Sequence, residues 1–199
     1  SGLVAAGGLV TATLPFSTPV LNGGQPGAVL VVLREATPGR LAGLALVLAG
    51  LALLATSWLA LCRRVSGGVE LVRMATVAWS APLLLAPPLF SRDGWSYAAQ
   101  GVLVEQGLSP YEHGPAWLAG PVVQAVDPMW MHTAAPYGPL PLALGGFAAE
   151  LTHSPWLLVI AHRCLALVGL ALLAWAVPRL AAWTGADPRL ASALVLASP

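Results

Sequence analysis

A short charged motif, Ser91-Arg92-Asp93-Gly94, is the part of this sequence best suited to chemistry, and it directly follows an apolar segment that ends at Phe90. Charged groups at the edge of a bilayer are costly unless they are hydrated or paired. A carboxylate held there could accept a proton from a hydroxyl group, so Asp93 is a candidate general base. The motif also suits a structural role, with Arg92 and Asp93 pairing at the interface and Asp93 capping the following helix.

Aromatic and polar side chains are concentrated in the same stretch, residues 91 to 139. It holds half of the chain's eight acids, all three of its Tyr and three of its eight Trp. Such side chains suit a sugar ring, which offers C–H faces for stacking and hydroxyls for hydrogen bonds; an aromatic belt at the lipid headgroups is the alternative. The candidate substrate-binding residues of this stretch are Arg92, Tyr97, Gln100, Tyr111, His113, His132 and Tyr137.

One further candidate, Arg163, lies in the middle of the apolar segment Trp156 to Val177. An arginine inside a membrane faces a partner or a polar cavity, or else its long side chain reaches the interface. No Walker loop, G-x-G-x-x-G, H-E-x-x-H or cysteine cluster is present in the sequence. We therefore expect no nucleotide-sugar site, no metal and no cofactor.

The composition indicates an integral membrane protein. Of 199 residues, 57% are hydrophobic and only 9% are charged, and the mean hydropathy is +0.78. Soluble proteins carry about 25% charged residues, so the bilayer is the natural solvent for this chain. The net charge of +1 leaves no basic face for nucleic acid. The fold class that we expect is all-α, a polytopic bundle of transmembrane helices with a large outer loop that contains amphipathic interfacial helices.

Long apolar runs predict the spans of this bundle. Residues 41–62 form an uncharged run of 22 residues, or about 33 Å of helix, which is enough to cross the hydrocarbon core. Residues 74–90 predict a second span that Pro82 kinks and that breaks near its end. Because the chain begins without Met and stops in an apolar segment, we expect a fragment. Its predicted layout is 1–90 with spans at about 1–16, 41–62 and 74–90, a catalytic loop at 91–139, and further helices at 140–199.

The charges predict the orientation of these segments. The short connection from Arg63 to Arg73 holds three Arg and one acid, so it is expected to be cytoplasmic and the loop 91–139 extracytoplasmic. Within that loop, apolar residues at helical spacing predict an amphipathic helix that begins near Ser91 or Asp93, ends at Gly107 and lies on the membrane surface. Beyond residue 140 the orientation stays open, because strict alternation of membrane spans and the positive-inside rule put the following arginines on opposite sides of the membrane.

Two sequence motifs resemble a known family. APPLFSRDGWSYAAQGVLVEQGLSPYEHGP, residues 86 to 115, resembles the first outer loop of the actinobacterial polyprenol-phosphomannose-dependent alpha-1,6-mannosyltransferases. PMWMHTAAPYGPLPLAL, residues 128 to 144, resembles the W…T-x-A-P-Y-G-P-L segment of that family. The resemblance implies a membrane glycosyltransferase of the C-type fold, with Asp93 at the position of the catalytic base. The family commonly has a β-branched residue and Tyr after this Asp, where this chain has Gly94 and Trp95.

The resemblance also implies a reaction and its partners. Mannose would pass from polyprenyl-phosphate mannose to a growing alpha-1,6-mannan of the cell-wall glycolipid, outside the plasma membrane. Arg92 or Arg163 would stabilise charge on the phosphate. Transfer of arabinose or another hexose, or transfer to protein, is an alternative, as is a transporter or an assembly subunit. A transporter places charges on broken helices at the midplane, whereas this chain concentrates them in one loop.

Overall fold

The computed structural model describes residues 1–11, 25–64, 67–89 and 91–199, and within these ranges it is helical and contains no strand. Two short 3-10 helices, Pro115–Trp117 and Pro128–Trp130, lie in the predicted outer loop. The α-helices of the described ranges are α1 Gly2–Thr11, α2 Gln25–Glu35, α3 Thr37–Arg63, α4 Gly68–Leu84, α5 Asp93–Glu105, α6 Pro121–Ala125, α7 Pro139–Leu151, α8 Pro155–Trp183 and α9 Pro188–Leu196.

Two of the described helices are long and apolar enough to cross a membrane. They are α3 with 27 residues and α8 with 29 residues, and each contains an 18-residue window with a mean hydropathy of 2.3. Their lengths correspond to about 40 and about 44 Å, more than the roughly 30 Å of the hydrocarbon core. The helices predicted at 41–62 and 156–177 are therefore present, each longer at both ends, and Arg163 lies inside α8.

The helix predicted at 74–90 is displaced along the chain. It begins at Gly68 and so includes Glu70 and Arg73, which form an ion pair one turn apart within the helix. It ends at Leu84, before the Pro87-Pro88 pair that cannot continue it, and residue 90 lies outside the described residues. Likewise, α1 covers residues 2–11 of the first predicted span, and residues 12–16 lie outside the described part of the chain.

The chain forms two compact units, the first built from residues 1–9, 41–86 and 166–199 and the second from residues 10–40 and 87–165. In the first unit, α1 packs against α3 through glycines. A Cβ atom on Gly7 would lie 2.5 Å from the carbonyl oxygen of Gly43, and a Cβ atom on Gly50 would lie 2.7 Å from Cγ2 of Val4. Small residues that let two backbones approach are typical of helix packing in membranes.

The C-terminal end of α3 is closed by α9 within the same unit. The Arg189 guanidinium donates to the carbonyl oxygens of Leu61 at 3.1 Å and Cys62 at 3.4 Å. Carbonyls in the last turn of a helix lack partners in the helix, and a cation is favourable there. The Trp58 indole also donates to the carbonyl of Ala193 at 2.9 Å. Arg189 thus lies at the end of α3 that bears Arg63.

The second unit is organised around α5. This helix begins and ends within two residues of the prediction, but its apolar face packs against protein, since Trp95 and Leu103 are fully buried. It crosses α7 at two glycines, where a Cβ atom on Gly101 would lie 2.6 Å from the carbonyl oxygen of Gly145. The helix is therefore a core element of this unit, and the close crossing fixes its position against α7.

Candidate functional site

A cavity of about 130 Å³ lies beside the first two turns of α5 in the second unit. Residues at i, i+3, i+4 and i+7 of a helix share one face, and this spacing brings four α5 side chains to the cavity. The chain after Asp127 supplies the other wall. The lining residues are Asp93, Ser96, Tyr97, Gln100, Trp130, Thr133, Pro136 and Tyr137.

The N-cap residue of α5 is Arg92, whose side chain makes no capping hydrogen bond. Ser91, one residue earlier, accepts a hydrogen bond through Oγ from the backbone N–H of Asp93 at 3.0 Å. The prediction that Asp93 caps the helix is therefore wrong. Asp93 is the first residue of the helix, one position too late to receive the N–H groups of its first turn. Its half-buried carboxylate lines the cavity instead.

Trp130 holds the Asp93 carboxylate in place. It ends the 3-10 helix Pro128–Trp130, which Asp127 caps by accepting a hydrogen bond from the N–H of Met129 at 3.0 Å. The Trp130 indole Nε1 donates to Oδ1 of Asp93 at 3.1 Å. In the described part of the chain, no donor is found for the second carboxylate oxygen, Oδ2. One oxygen is thus fixed by the protein and the other is available for a proton.

Tyr97 and Tyr137 form the aromatic part of the cavity. Their rings meet edge to face, with centroids 5.3 Å apart. The hydrogen bond with the Tyr137 side chain, then burial, then the negative charges of ionised Tyr137 and of Asp93 raise the pKa of Tyr97 to about 12. The Tyr97 hydroxyl therefore stays protonated at neutral pH and can donate a hydrogen bond. The imidazole of His162, on α8, lies 6.4 Å from the Tyr97 ring between centroids.

The structure brings four of the nine predicted site residues into the cavity lining: Asp93, Tyr97, Gln100 and Tyr137. A fifth, Tyr111, supports this wall from behind, because its hydroxyl donates to the carbonyl oxygen of Tyr137 at 3.0 Å. These five residues come from both motifs of the sequence, so the fold joins the two motifs in one place.

The other four predicted residues are not among the cavity-lining residues. The His113 ring packs on Trp117, with centroids 4.4 Å apart, and His132 is exposed. Arg92 precedes α5, and its carbonyl accepts the N–H groups that begin the helix. Arg163 is half-buried within α8.

Sequence reasoning did not name Ser96, Trp130 or Thr133 as site residues, although Trp130 is one of the three tryptophans of the aromatic stretch 91 to 139. Ser96 follows Asp93 by three residues, so helical spacing alone could have placed it on the same face. Trp130 and Thr133 belong to a turn whose path depends on packing, for which the sequence holds no local signal. Within the described ranges, no three His, Cys, Asp or Glu side chains come together as a metal-binding group.

Comparison with known proteins places this chain in a family. The family model described as alpha-(1->6)-mannopyranosyltransferase, N-terminal domain, matches residues 1–199. The alpha-(1->6)-mannopyranosyltransferase A of Mycobacterium tuberculosis is 41% identical over 141 residues, 68% of this chain and 27% of the relative. The probable alpha-(1->6)-mannopyranosyltransferase of Mycolicibacterium smegmatis is 39% identical over 140 residues, 66% of this chain and 25% of the relative.

A third relative, the alpha-(1->6)-mannopyranosyltransferase A of Corynebacterium glutamicum, is 36% identical over 130 residues, 65% of this chain and 26% of the relative. The chain thus spans about a quarter of the length of these curated relatives. No solved structure matches it. Since the family model covers every residue, the chain belongs to the alpha-(1->6)-mannopyranosyltransferase N-terminal domain family.

Proposed function

We propose that this chain carries the catalytic base of a mannosyltransferase that extends an alpha-1,6-mannan of a cell-wall glycolipid. The donor is polyprenyl-phosphate mannose, the acceptor is the end of the mannan, and the reaction takes place at the outer face of the plasma membrane. The observation that carries the proposal is the Asp93 carboxylate, which lines a cavity and is held there by the Trp130 indole. The family match supports mannosyl transfer as the reaction class.

Asp93 acts on the acceptor in this mechanism. Its carboxylate removes the proton from the 6-hydroxyl of the terminal mannose as that oxygen attacks the anomeric carbon of the donor. The bond from the anomeric carbon to the phosphate oxygen breaks on the opposite face, so the configuration inverts and an alpha linkage forms. The electron pair leaves with polyprenyl phosphate, and the proton stays on Asp93.

The leaving phosphate requires a positive group rather than an acid. Polyprenyl phosphate departs as an anion, so protonation of the leaving oxygen is less necessary than in glycoside hydrolysis. A guanidinium near the phosphate stabilises the charge that develops in the transition state. Arg92, which is adjacent to Asp93, and Arg163, on α8, are the candidates for this role in the second unit.

The positions of the arginines favour an extracytoplasmic location for the candidate site. The contact of Arg189 with Leu61 and Cys62 puts it at the end of α3 that bears Arg63 and Arg64. With 13 residues, α7 is about 20 Å long, too short for a span, and it packs on α5. If α4 spans, as its apolar sequence predicts, and α7 does not, strict alternation and the positive-inside rule agree. The arginine-rich end is then cytoplasmic, and the loop after α4 is outside.

The test is Asp93→Asn in the full-length protein, assayed in membranes with labelled polyprenyl-phosphate mannose. We expect transfer to fall at least 100-fold, because an amide cannot accept the proton. Asp127→Asn is the matched control in the same loop, since Asn can still accept the hydrogen bond from the N–H of Met129. Near wild-type transfer by Asp93→Asn, with the protein present at normal levels, would remove Asp93 from the role of base.

A further inference from the structure

Ser96 is a buried hydroxyl that lacks a partner and lines the cavity. Its side chain is only 5% exposed, and its Oγ has no hydrogen-bond partner among the residues that the structure describes. It lines the same cavity as Asp93 and Gln100. Because a buried polar group without a partner costs folding free energy, nearly all such groups in native proteins are satisfied. A ligand in the cavity would supply the partner that the protein does not.

Three other helical hydroxyls hydrogen-bond within their own helix. Thr56, Thr76 and Ser192 each donate to the carbonyl oxygen four residues earlier, at 2.9, 2.9 and 2.7 Å. The corresponding carbonyl for Ser96 is that of Arg92, which accepts the backbone N–H groups of Trp95 and Ser96. Unlike those three hydroxyls, the Oγ atom of Ser96 has no partner among the described residues, although Ser96 lines the cavity.

Burial alone does not identify this site. The indole Nε1 of Trp95 also lacks a partner in the described part of the chain, but Trp95 is fully buried and does not line the cavity. Ser96 combines the missing partner with an open space beside it. Gln100, one turn further along the same face and 7% exposed, adds an amide with both a donor and an acceptor.

The size and depth of the cavity indicate what it holds. A volume of about 130 Å³ is smaller than the roughly 300–1,000 Å³ of pockets that enclose a whole ligand. It suits one edge of a sugar ring. Three residues of helix rise by about 4.5 Å, so Ser96 lies about that distance along the helix axis from Asp93. In a hexose that presents its 6-hydroxyl to Asp93, the nearest ring hydroxyl is the one on carbon 4.

We propose that the Ser96 hydroxyl, assisted by the Gln100 amide, binds the 4-hydroxyl of the acceptor mannose and so selects the acceptor. This inference rests on the proposed function, in which the 6-hydroxyl of that mannose faces Asp93. A site built to hydrogen-bond a substrate hydroxyl strongly rejects an analogue that lacks it, because the protein groups are then left unpaired. Ser96 is thus a specificity-determining residue of the acceptor site.

The test compares Ser96→Ala with the wild-type full-length protein in membranes. The acceptors are a synthetic alpha-1,6-linked dimannoside and its analogue with hydrogen in place of the 4-hydroxyl of the terminal mannose. We expect the wild type to prefer the parent acceptor by about 10- to 100-fold in kcat/KM. Ser96→Ala should lose at least 10-fold with the parent acceptor and use both acceptors about equally.

A stability measurement separates this role from a structural one. Removing a buried hydroxyl without a partner relieves a cost, so Ser96→Ala should raise the apparent Tm of the ligand-free protein in detergent by about 1–3 °C. Ser192→Ala removes a buried hydroxyl that does have a partner, so it should lower the Tm and leave kcat/KM unchanged. A lower Tm for Ser96→Ala would assign its hydroxyl to folding and overturn the inference.

Parallel assays with Asp93→Asn distinguish the two proposals. If Asp93→Asn is inactive while Ser96→Ala keeps the wild-type kcat/KM and the preference for the 4-hydroxyl, the inference fails and the proposed function stands. If the wild-type protein does not transfer mannose to the dimannoside, the proposed function fails and the inference fails with it.

Discussion

The indole nitrogen of Trp130 donates a hydrogen bond to Oδ1 of Asp93 at 3.1 Å and so joins two residues that are 37 positions apart in the sequence. Trp130 belongs to the second family motif, residues 128 to 144, whereas Asp93 is the first residue of α5. A side chain that fixes one carboxylate oxygen also sets the direction of the other. Trp130 is thus a positioning residue for the proposed base.

The first prediction concerns this hydrogen bond. Trp130→Phe keeps an aromatic ring but removes the N–H donor, so the carboxylate loses its fixed orientation. We expect kcat to fall about 10-fold or more while the KM for the lipid donor stays within about two-fold, because an orientation defect acts mainly in the transition state. Steady-state kinetics in membranes measure both values. Trp183→Phe, at an 80% exposed position of α8, is the control. An equal loss in both variants would contradict the prediction.

The second prediction concerns ionisation of Tyr97. Its folded-state pKa of about 12 lies above the ordinary value of 10.0, so between these pH values the folded chain keeps a proton that the unfolded chain loses. This contribution to stability is complete below pH 10 and is lost as the pH rises towards 12. Because the hydrogen bond with Tyr137 is the largest cause of the shift, Tyr137→Phe should move Tyr97 titration towards pH 10. Tyrosinate absorbance, measured against the same proteins with Tyr97→Phe, detects the change. An unmoved titration would contradict it.

The third prediction concerns the crossing of α5 and α7. Gly101→Ala puts a Cβ atom 2.6 Å from the carbonyl oxygen of Gly145, so the helices must separate. We expect a loss of about 1–3 kcal/mol in stability, as for other overpacked cores. The apparent Tm in detergent measures this loss. Gly169→Ala is the matched control in α8, where a Cβ atom meets nothing within 4 Å. A Gly101→Ala protein as stable as the control would show that the crossing is not close.

The fourth prediction concerns the contact between Arg189 of α9 and the C-terminal end of α3. Arg189→Met removes the hydrogen bonds to the carbonyls of Leu61 and Cys62 and leaves these groups without their cation. We expect a loss of about 1.5–3 kcal/mol, the range for hydrogen bonds that involve a charged group. Arg179→Met is the matched control, because the hydrogen bond and ring contact of Arg179 in the described part of the chain are with Trp175 of its own helix. This change should cost under 1 kcal/mol. Equal thermal shifts for the two variants would contradict the proposed cap.

The fifth prediction concerns orientation. With Cys62 and Cys164 replaced, single cysteines are introduced at the exposed positions Tyr111 and Arg64. An impermeant maleimide added to intact cells should label the cysteine at 111, in the loop after α4, and should not label the one at 64. Permeabilised cells provide the control, since both positions should then react. The reverse pattern would invert the proposed topology.

The long helices were predictable because their signal is local. Residues 41–62 are uncharged and residues 156–177 are apolar apart from His162 and Arg163, and each run is long enough to cross a bilayer. The structure has helices at both places. The start of α4 was missed because Glu70 and Arg73 interrupt the apolar pattern although they pair one turn apart on the helix. The helix Gln25–Glu35 gave no clear periodic signal and was not predicted.

The site was predictable in part for the same reason. Asp93, Tyr97 and Gln100 share a face by helical spacing alone, so their convergence needs only α5. The side chains of His113 and His132 could bind a substrate, but the backbone that carries them is positioned by close contacts elsewhere in the loop. A Cβ atom on Gly114 would lie 2.6 Å from the carbonyl oxygen of Met131, so the backbone at residue 114 packs directly against the backbone beside His132. The pattern of residue types along the sequence does not reveal such contacts.

The contacts that close the first unit link very distant parts of the chain. Trp58 and Arg189 contact partners 135 and 128 positions away in the sequence. The stretch that holds the candidate site lies between them in sequence. During synthesis a chain folds broadly from its N-terminus. The ribosome therefore finishes the whole stretch that holds the candidate site before it makes α9. Until then the carbonyls of Leu61 and Cys62 lack the guanidinium that contacts them in the folded unit.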